Sequence, residues 1–155
     1  MRKIIGASAV CALAIGLVAA PGAVAKKGPK QVSGTVSVFV SPNPVPSTAT
    51  GVTASGNVKT NSSCRKDRTV RFQYVNSVTG AIEPLAVTAE TRSNGNYSAV
   101  LPPAATPGTY ALQATVDETE RKVGSKKKGK KTKKGRQFIC LQLFGQSSLV
   151  TFSGP

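Results

Sequence analysis

Asn94-Gly95-Asn96-Tyr97-Ser98-Ala99-Val100-Leu101, followed by Pro107-Gly108-Thr109-Tyr110-Ala111-Leu112, is the stretch that decides the fold. Asn-Gly is a strong hairpin signal, because a type I′ turn needs positive φ at both central residues. Tyr97, Ala99 and Leu101 fall on one side of an extended chain. Pro102 to Gly108 is a proline-rich connection. Tyr110, Leu112, Ala114 and Val116 then repeat the period of two that marks a half-buried strand. The pattern is turn, strand, turn, strand, the wiring of a small β-sandwich.

Working outward gives more of the same. Val32, Val36, Val38 and Val40 alternate as a first strand, and Val52, Ala54, Gly56 and Val58 as a second. Between them, Ser41-Pro42-Asn43-Pro44-Val45-Pro46 cannot continue in a sheet, because three prolines remove donors and fix φ. Val70, Phe72 and Tyr74 face one way and Arg71 and Gln73 the other, the clearest strand in the chain. Ile82 to Ala89 is weaker, is interrupted by Pro84, and reads as an edge. Phe138 to Phe144 reads as a final apolar strand, which Ser147 to Phe152 extends. Its faces cannot be assigned from the pattern. No segment after residue 25 sustains a helical period. The expectation is an all-β, antiparallel Greek-key β-sandwich of about seven strands.

The first 25 residues are of another kind. Arg2 and Lys3 precede an uncharged apolar run from Ile4 to Ala20. Pro21-Gly22 breaks any helix, and Ala23-Val24-Ala25 offers a small-x-small cleavage site. Residues 1–25 therefore read as a signal-peptide helix, with a retained membrane anchor as the alternative. The expected organisation is a signal peptide over 1–25, a basic disordered tail over 26–31, and a sandwich over 32–155 with a basic loop at 121–136. Export makes the protein secreted or envelope-associated, with no transmembrane segment after cleavage. Cys64 and Cys140 then remain, and an even cysteine count in an exported chain reads as a disulfide, with two free thiols as the alternative.

The chain carries 21 Lys and Arg against six acids, a formal net charge of +15. Without Arg2 and Lys3 the balance is +13, and its location matters more than its size. Arg121, Lys122, Lys126, Lys127, Lys128, Lys130, Lys131, Lys133, Lys134 and Arg136 fill a window with no acid. Lys26, Lys27 and Lys30 sit in the tail. The rest has six basic and six acidic residues and is neutral overall. A lysine-dominated tract binds polyanions through counterion release. No aromatic is interleaved, so base stacking is not indicated and nucleic acid is the poorer partner. Anionic envelope polymers or lipid headgroups are the better candidates. The competing expectation is a structural accessory domain, docking another protein along the Ile82–Ala89 edge, whose lysines only solubilise.

Catalysis finds little support. The chain has no histidine, the commonest general base and zinc ligand. Ser62, Ser63 and Ser125 lack such a partner, and a disulfide would remove both cysteines as nucleophiles. Asp117, Glu118 and Glu120 adjoin many cations, which hold them ionised. A calcium site from that trio has no EF-hand spacing behind it. A non-catalytic protein with no metal or cofactor is the expectation.

Thr91 to Ala114 resembles the carboxypeptidase regulatory-like, or transthyretin-like, repeats of secreted proteins. The resemblance rests on Asn94-Gly95-Asn96-Tyr97 and on Pro107-Gly108-Thr109-Tyr110-Ala111-Leu112, about 25 residues in all. It implies a transthyretin-like or immunoglobulin-like sandwich acting as spacer, adhesion module or appendage, and it specifies function weakly. Immunoglobulin-like and fibronectin-like sandwiches remain alternatives. Tyr110 is placed either to tie the preceding loop to its strand, as a tyrosine corner does, or simply to pack in the core. The related collagen-adhesin B-type repeats place Glu two residues after the Leu of this strand. Here that position is Ala114, so their isopeptide chemistry is not carried over.

Overall fold

The computed structural model describes residues 28–124 and 135–154. Residues 1–25, expected to be a signal peptide, Lys26, Lys27 and the lysines between 126 and 134 lie outside the described residues. What is described is all-β, with ten strands and one 3-10 turn at Ser62–Cys64. The strands are β1 (Lys30–Val32), β2 (Gly34–Ser41), β3 (Val52–Thr60), β4 (Thr69–Asn76), β5 (Ile82–Glu90), β6 (Asn96–Leu101), β7 (Gly108–Val116), β8 (Thr119–Val123), β9 (Arg136–Cys140) and β10 (Leu143–Phe152).

Two antiparallel sheets make the sandwich. One has the order β10-β7-β4-β5 and the other β2-β3-β6. Successive strands cross repeatedly between them, as a Greek key requires. The inward residues are the ones that the alternation selects: Val52, Ala54 and Val58 from β3, Val70, Phe72 and Tyr74 from β4, Tyr97 and Leu101 from β6, and Tyr110, Leu112, Ala114 and Val116 from β7. Tyr74, Tyr110 and Phe152 close one end of this core with edge-to-face contacts at centroid separations of 5.9, 5.1 and 5.6 Å, the arrangement the ring quadrupoles favour. The Tyr74 hydroxyl donates to Pro102 O at 3.0 Å. Tyr110 forms the tyrosine corner: its hydroxyl donates to Thr106 O at 3.1 Å and lies 2.6 Å from Thr106 Oγ1. As the sequence implies, β5 is an edge strand.

Three expectations are corrected. First, Asn94-Gly95 does not form a type I′ turn. Gly95 has φ +87°, but Asn94 is not in the positive-φ region. The loop closes instead through Gly95 N–H to Arg92 O and Arg92 N–H to Asn96 O, both at 2.9 Å. Asn94 Oδ1 accepts from Asn96 N–H at 3.0 Å, an Asx bond that holds Asn94 itself. The flanking strands, β5 and β6, then part into different sheets.

Second, the apolar run after Phe138 is two strands. The chain leaves β9 at Cys140 and re-enters the main body at Leu143. That break explains the unassignable faces, because Phe138 and Cys140 pack in a small separate cluster with Val32 and Cys64, while Leu143 belongs to the main core. A bulge between Gln146 and Leu149 then flips β10 again. Ser147 Oγ fills the disrupted ladder by accepting Leu112 N–H at 3.1 Å. Gly145 is required where β10 passes β2, since a Cβ there would stand 2.6 Å from Val36 O.

Third, the tail does not extend to residue 31. Lys30 and Gln31 are paired in β1, which runs parallel to β9. Ser33 separates β1 from β2, so Val32 packs with the second cluster rather than with Val38.

Candidate functional site

The two ends of the cationic window belong to a hairpin. Between β8 and β9 the register runs Thr119–Cys140, Glu120–Ile139, Arg121–Phe138, Lys122–Gln137 and Val123–Arg136. The ladder therefore consumes the outer parts of what the sequence presented as a loop over 121–136. Arg121 opposite Phe138 and Thr119 opposite Cys140 give the two strands matching inner faces. With β1 added, they make a third sheet of order β1-β9-β8.

A covalent bond fixes the base of this sheet. Cys64 and Cys140 form a disulfide with a Cα–Cα separation of 5.4 Å, joining positions 76 apart. Both cysteines are fully buried, and Val32 and Phe138 cover them. Asn61 caps the 3-10 turn that presents Cys64, accepting Ser63 N–H at 2.8 Å. This short polar corner thus aims one sulfur at the start of the β9–β10 crossing.

Arg68 is the second fixture, and its role is absent from the sequence reading. Its side chain is wholly buried. Nη2 donates to Asp117 O at 2.5 Å and to Leu141 O at 2.7 Å, with Cys140 O at 3.4 Å. One guanidinium thereby ties the start of β4 to the chain leaving β7 and to the chain leaving β9. Nε and Nη1 have no hydrogen-bond partner among the described residues. Burial, then the neighbouring Arg121, push this guanidinium below its ordinary value, and Asp117 and Glu118 oppose them. A guanidinium so perturbed still remains a cation at neutral pH. The missed signal was periodicity: 68, 70, 72 and 74 share one parity, so Arg68 continues the inward face of Val70, Phe72 and Tyr74.

Arg121, read as a polyanion contact, is engaged inside the protein. It shares the inner face with Phe138, and its Nη2 donates to Lys66 O at 2.6 Å and Asp67 O at 2.8 Å. Its Nη1 lies 3.6 Å from the Asp67 carboxylate. Arg121 anchors the hairpin rather than facing a ligand. Lys122 and Arg136 are exposed at its outer end. Because β1 is parallel to β9, with Lys30 opposite Phe138, the chain enters β1 from that same end. Exposed Lys30 therefore joins Lys122 and Arg136 at one pole, and the segment carrying Lys126, Lys127, Lys128, Lys130, Lys131, Lys133 and Lys134 departs from and returns to it.

Two of the acids nearby form ion pairs within the body. Asp117 accepts from Arg71 Nε at 2.9 Å, and Asp67 lies 3.4 Å from Lys66 Nζ. Such exposed pairs add little stability. Asp117, Glu118 and Glu120 do not converge: among the described residues no group of three or more acids and cysteines could hold a metal. Among these residues, too, no helix is long and apolar enough to cross a membrane.

The chemistry of this arrangement is electrostatic. The described hairpin presents Lys30, Lys122 and Arg136 together at the end where the lysine-rich stretch 125–134 joins it. No protein-family model matches the chain, and no curated protein and no solved structure is significantly similar to it.

Proposed function

We propose that the protein is an exported, non-catalytic β-sandwich module that binds anionic polymers or lipid headgroups of the cell envelope through its cationic pole. The supporting observation is the convergence of Lys30, Lys122 and Arg136 at the end of the β8–β9 hairpin, from which the seven-lysine segment arises. Long-range attraction raises the local concentration of polyanion, and counterion release supplies the affinity. The disulfide and Arg68 serve this role mechanically by holding the hairpin base to the sandwich. The accessory role implied by the transthyretin-like resemblance agrees with it.

The test is capture of the purified protein on an anionic wall polymer at low and high salt. Replacing residues 125–134 with a Gly-Ser linker should sharply weaken salt-sensitive capture, and undiminished retention would refute the reading. A second reading, protein docking at the β5 edge, draws on the exposed Ile82 of that strand, 61% accessible. Capture of another envelope protein that persists at high salt would favour it.

A further inference from the structure

The outer face of the β2-β3-β6 sheet carries a chemistry unlike the cationic pole. Two cross-strand rows lie there, Ser37–Asn57–Asn96 and Phe39–Ser55–Ser98. They line a shallow depression of about 370 Å³, with Arg92 at its margin. Phe39 is 64% exposed at its side. Lining residues include no acid, and Arg92 is the sole cation among them.

The polar groups around Phe39 divide into used and unused. Asn57 Nδ2 donates to Asn94 O at 3.2 Å and to Asn96 Oδ1 at 2.6 Å, so this amide is fixed. That bond in turn orients Asn96 Nδ2 outward as a donor. Ser55 Oγ, Ser98 Oγ, Asn96 Nδ2 and the Arg92 guanidinium make no hydrogen bond among the described residues. The other exposed phenylalanine, Phe144 at 71%, provides a contrast. Beside it, Gln113 Oε1 accepts from Gln73 Nε2 at 2.9 Å. Around Phe39 the open ring stands beside hydroxyl, amide and guanidinium groups together, whereas the polar groups lining the depression at Phe144 are two glutamine amides.

The geometry points to this face as a binding site for the pyranose ring of a neutral glycan. A pyranose with equatorial substituents has a flat C–H surface, whose weakly positive hydrogens meet the negative face of an aromatic ring. Its rim of hydroxyls needs both donors and acceptors, which Ser55, Ser98, Asn96 and Arg92 supply. A depression of this volume lies near the lower limit for small-ligand sites. It suits one or two sugar rings of a longer chain. The site shares no residue with the cationic pole and does not depend on it.

Amide chemical-shift mapping of the full protein tests this, with cellohexaose and chitohexaose as separate probes in about 0.3 M salt to screen the lysines. Expected shifts cluster at residues 37–39, 55–57 and 92–98, and the probe that produces them identifies the sugar type. Phe39→Ala should weaken binding by about tenfold, while Phe144→Ala changes it by less than about twofold. Both positions are exposed, so unchanged thermal unfolding of each variant excludes misfolding. The Gly-Ser linker variant at 125–134 should bind either hexaose as well as the parent does. Absence of shifts at about 10 mM of both probes, or equal losses in Phe39→Ala and Phe144→Ala, would overturn the proposal.

Discussion

Replacing Cys64 and Cys140 together by alanine removes the bond that closes 76 positions of chain. The chain-entropy relation for a loop of that length gives a loss of about 4.5 kcal/mol at 25 °C. Native packing changes little, because each alanine removes one buried sulfur from a cluster otherwise formed by Val32 and Phe138. A small residual cavity adds to the loss. For a domain of this size the destabilisation corresponds to a fall in Tm of about 15–20 °C. Urea unfolding, followed by far-ultraviolet circular dichroism, measures both the free energy and the m-value. The m-value should rise, because the uncrosslinked unfolded chain exposes more surface. A loss below about 1 kcal/mol with an unchanged m-value would refute the reasoning, as would alkylation of both cysteines in native, unreduced protein.

Other expectations follow from single side chains. Tyr110→Phe removes the hydroxyl bonded to Thr106 and should cost about 0.5–1.5 kcal/mol in chemical denaturation; no loss would dismiss the corner as a stabilising contact. Arg68→Met withdraws the donor from Asp117 O and Leu141 O and should cost about 2–4 kcal/mol, despite relieving a buried charge. A variant as stable as the parent would show that the relief outweighs the orphaned carbonyls. Burial pushes the Tyr74 hydroxyl up to about 12, with Glu83 adding to the effect, and burial also raises Tyr97. The folded state therefore holds these protons more tightly than the unfolded state. Their stabilisation is complete below the ordinary tyrosine value near 10 and is lost as pH rises from about 10 towards 12. Denaturation midpoints should fall across that window, by about 1.4 kcal/mol per pH unit for each of the two tyrosines. A flat profile would contradict the assignment.

Where alternation was strict, the fold could be read directly. Val70, Phe72 and Tyr74, and equally Tyr110, Leu112, Ala114 and Val116, declare their inward faces by parity. The Cys64–Cys140 pairing followed from compartment and count. Three features escaped, each for its own reason. Asn94-Gly95 promised a two-residue hairpin, but Asx bonding at Asn94 and the parting of β5 from β6 imposed another turn. Phe138 to Phe144 looked continuous because the main core and the disulfide cluster both demand apolar residues. The switch between them occurs at Leu141 and Gln142, which carry no turn signal. Composition counts Arg68 only among the six basic residues of a neutral body, although its parity with Val70, Phe72 and Tyr74 places it inside. Of the proposed ligand contacts, Lys122 and Arg136 are exposed as expected. Arg121 is withdrawn by Lys66 and Asp67 carbonyls that no local pattern could reveal.

Dependence of polyanion affinity on salt bears most directly on the cationic pole. With dextran sulfate as probe, a plot of log affinity against log salt concentration should have a slope of about −3.5 to −7, corresponding to between half and all of ten cations (Lys30, Lys122, Arg136 and the seven lysines of 125–134) engaged at roughly 0.7 per contact. Replacing residues 125–134 by Gly-Ser should reduce that slope to about −2 or shallower, leaving Lys30, Lys122 and Arg136. A parent slope shallower than about −1, or a slope that the replacement leaves unchanged, would contradict the account.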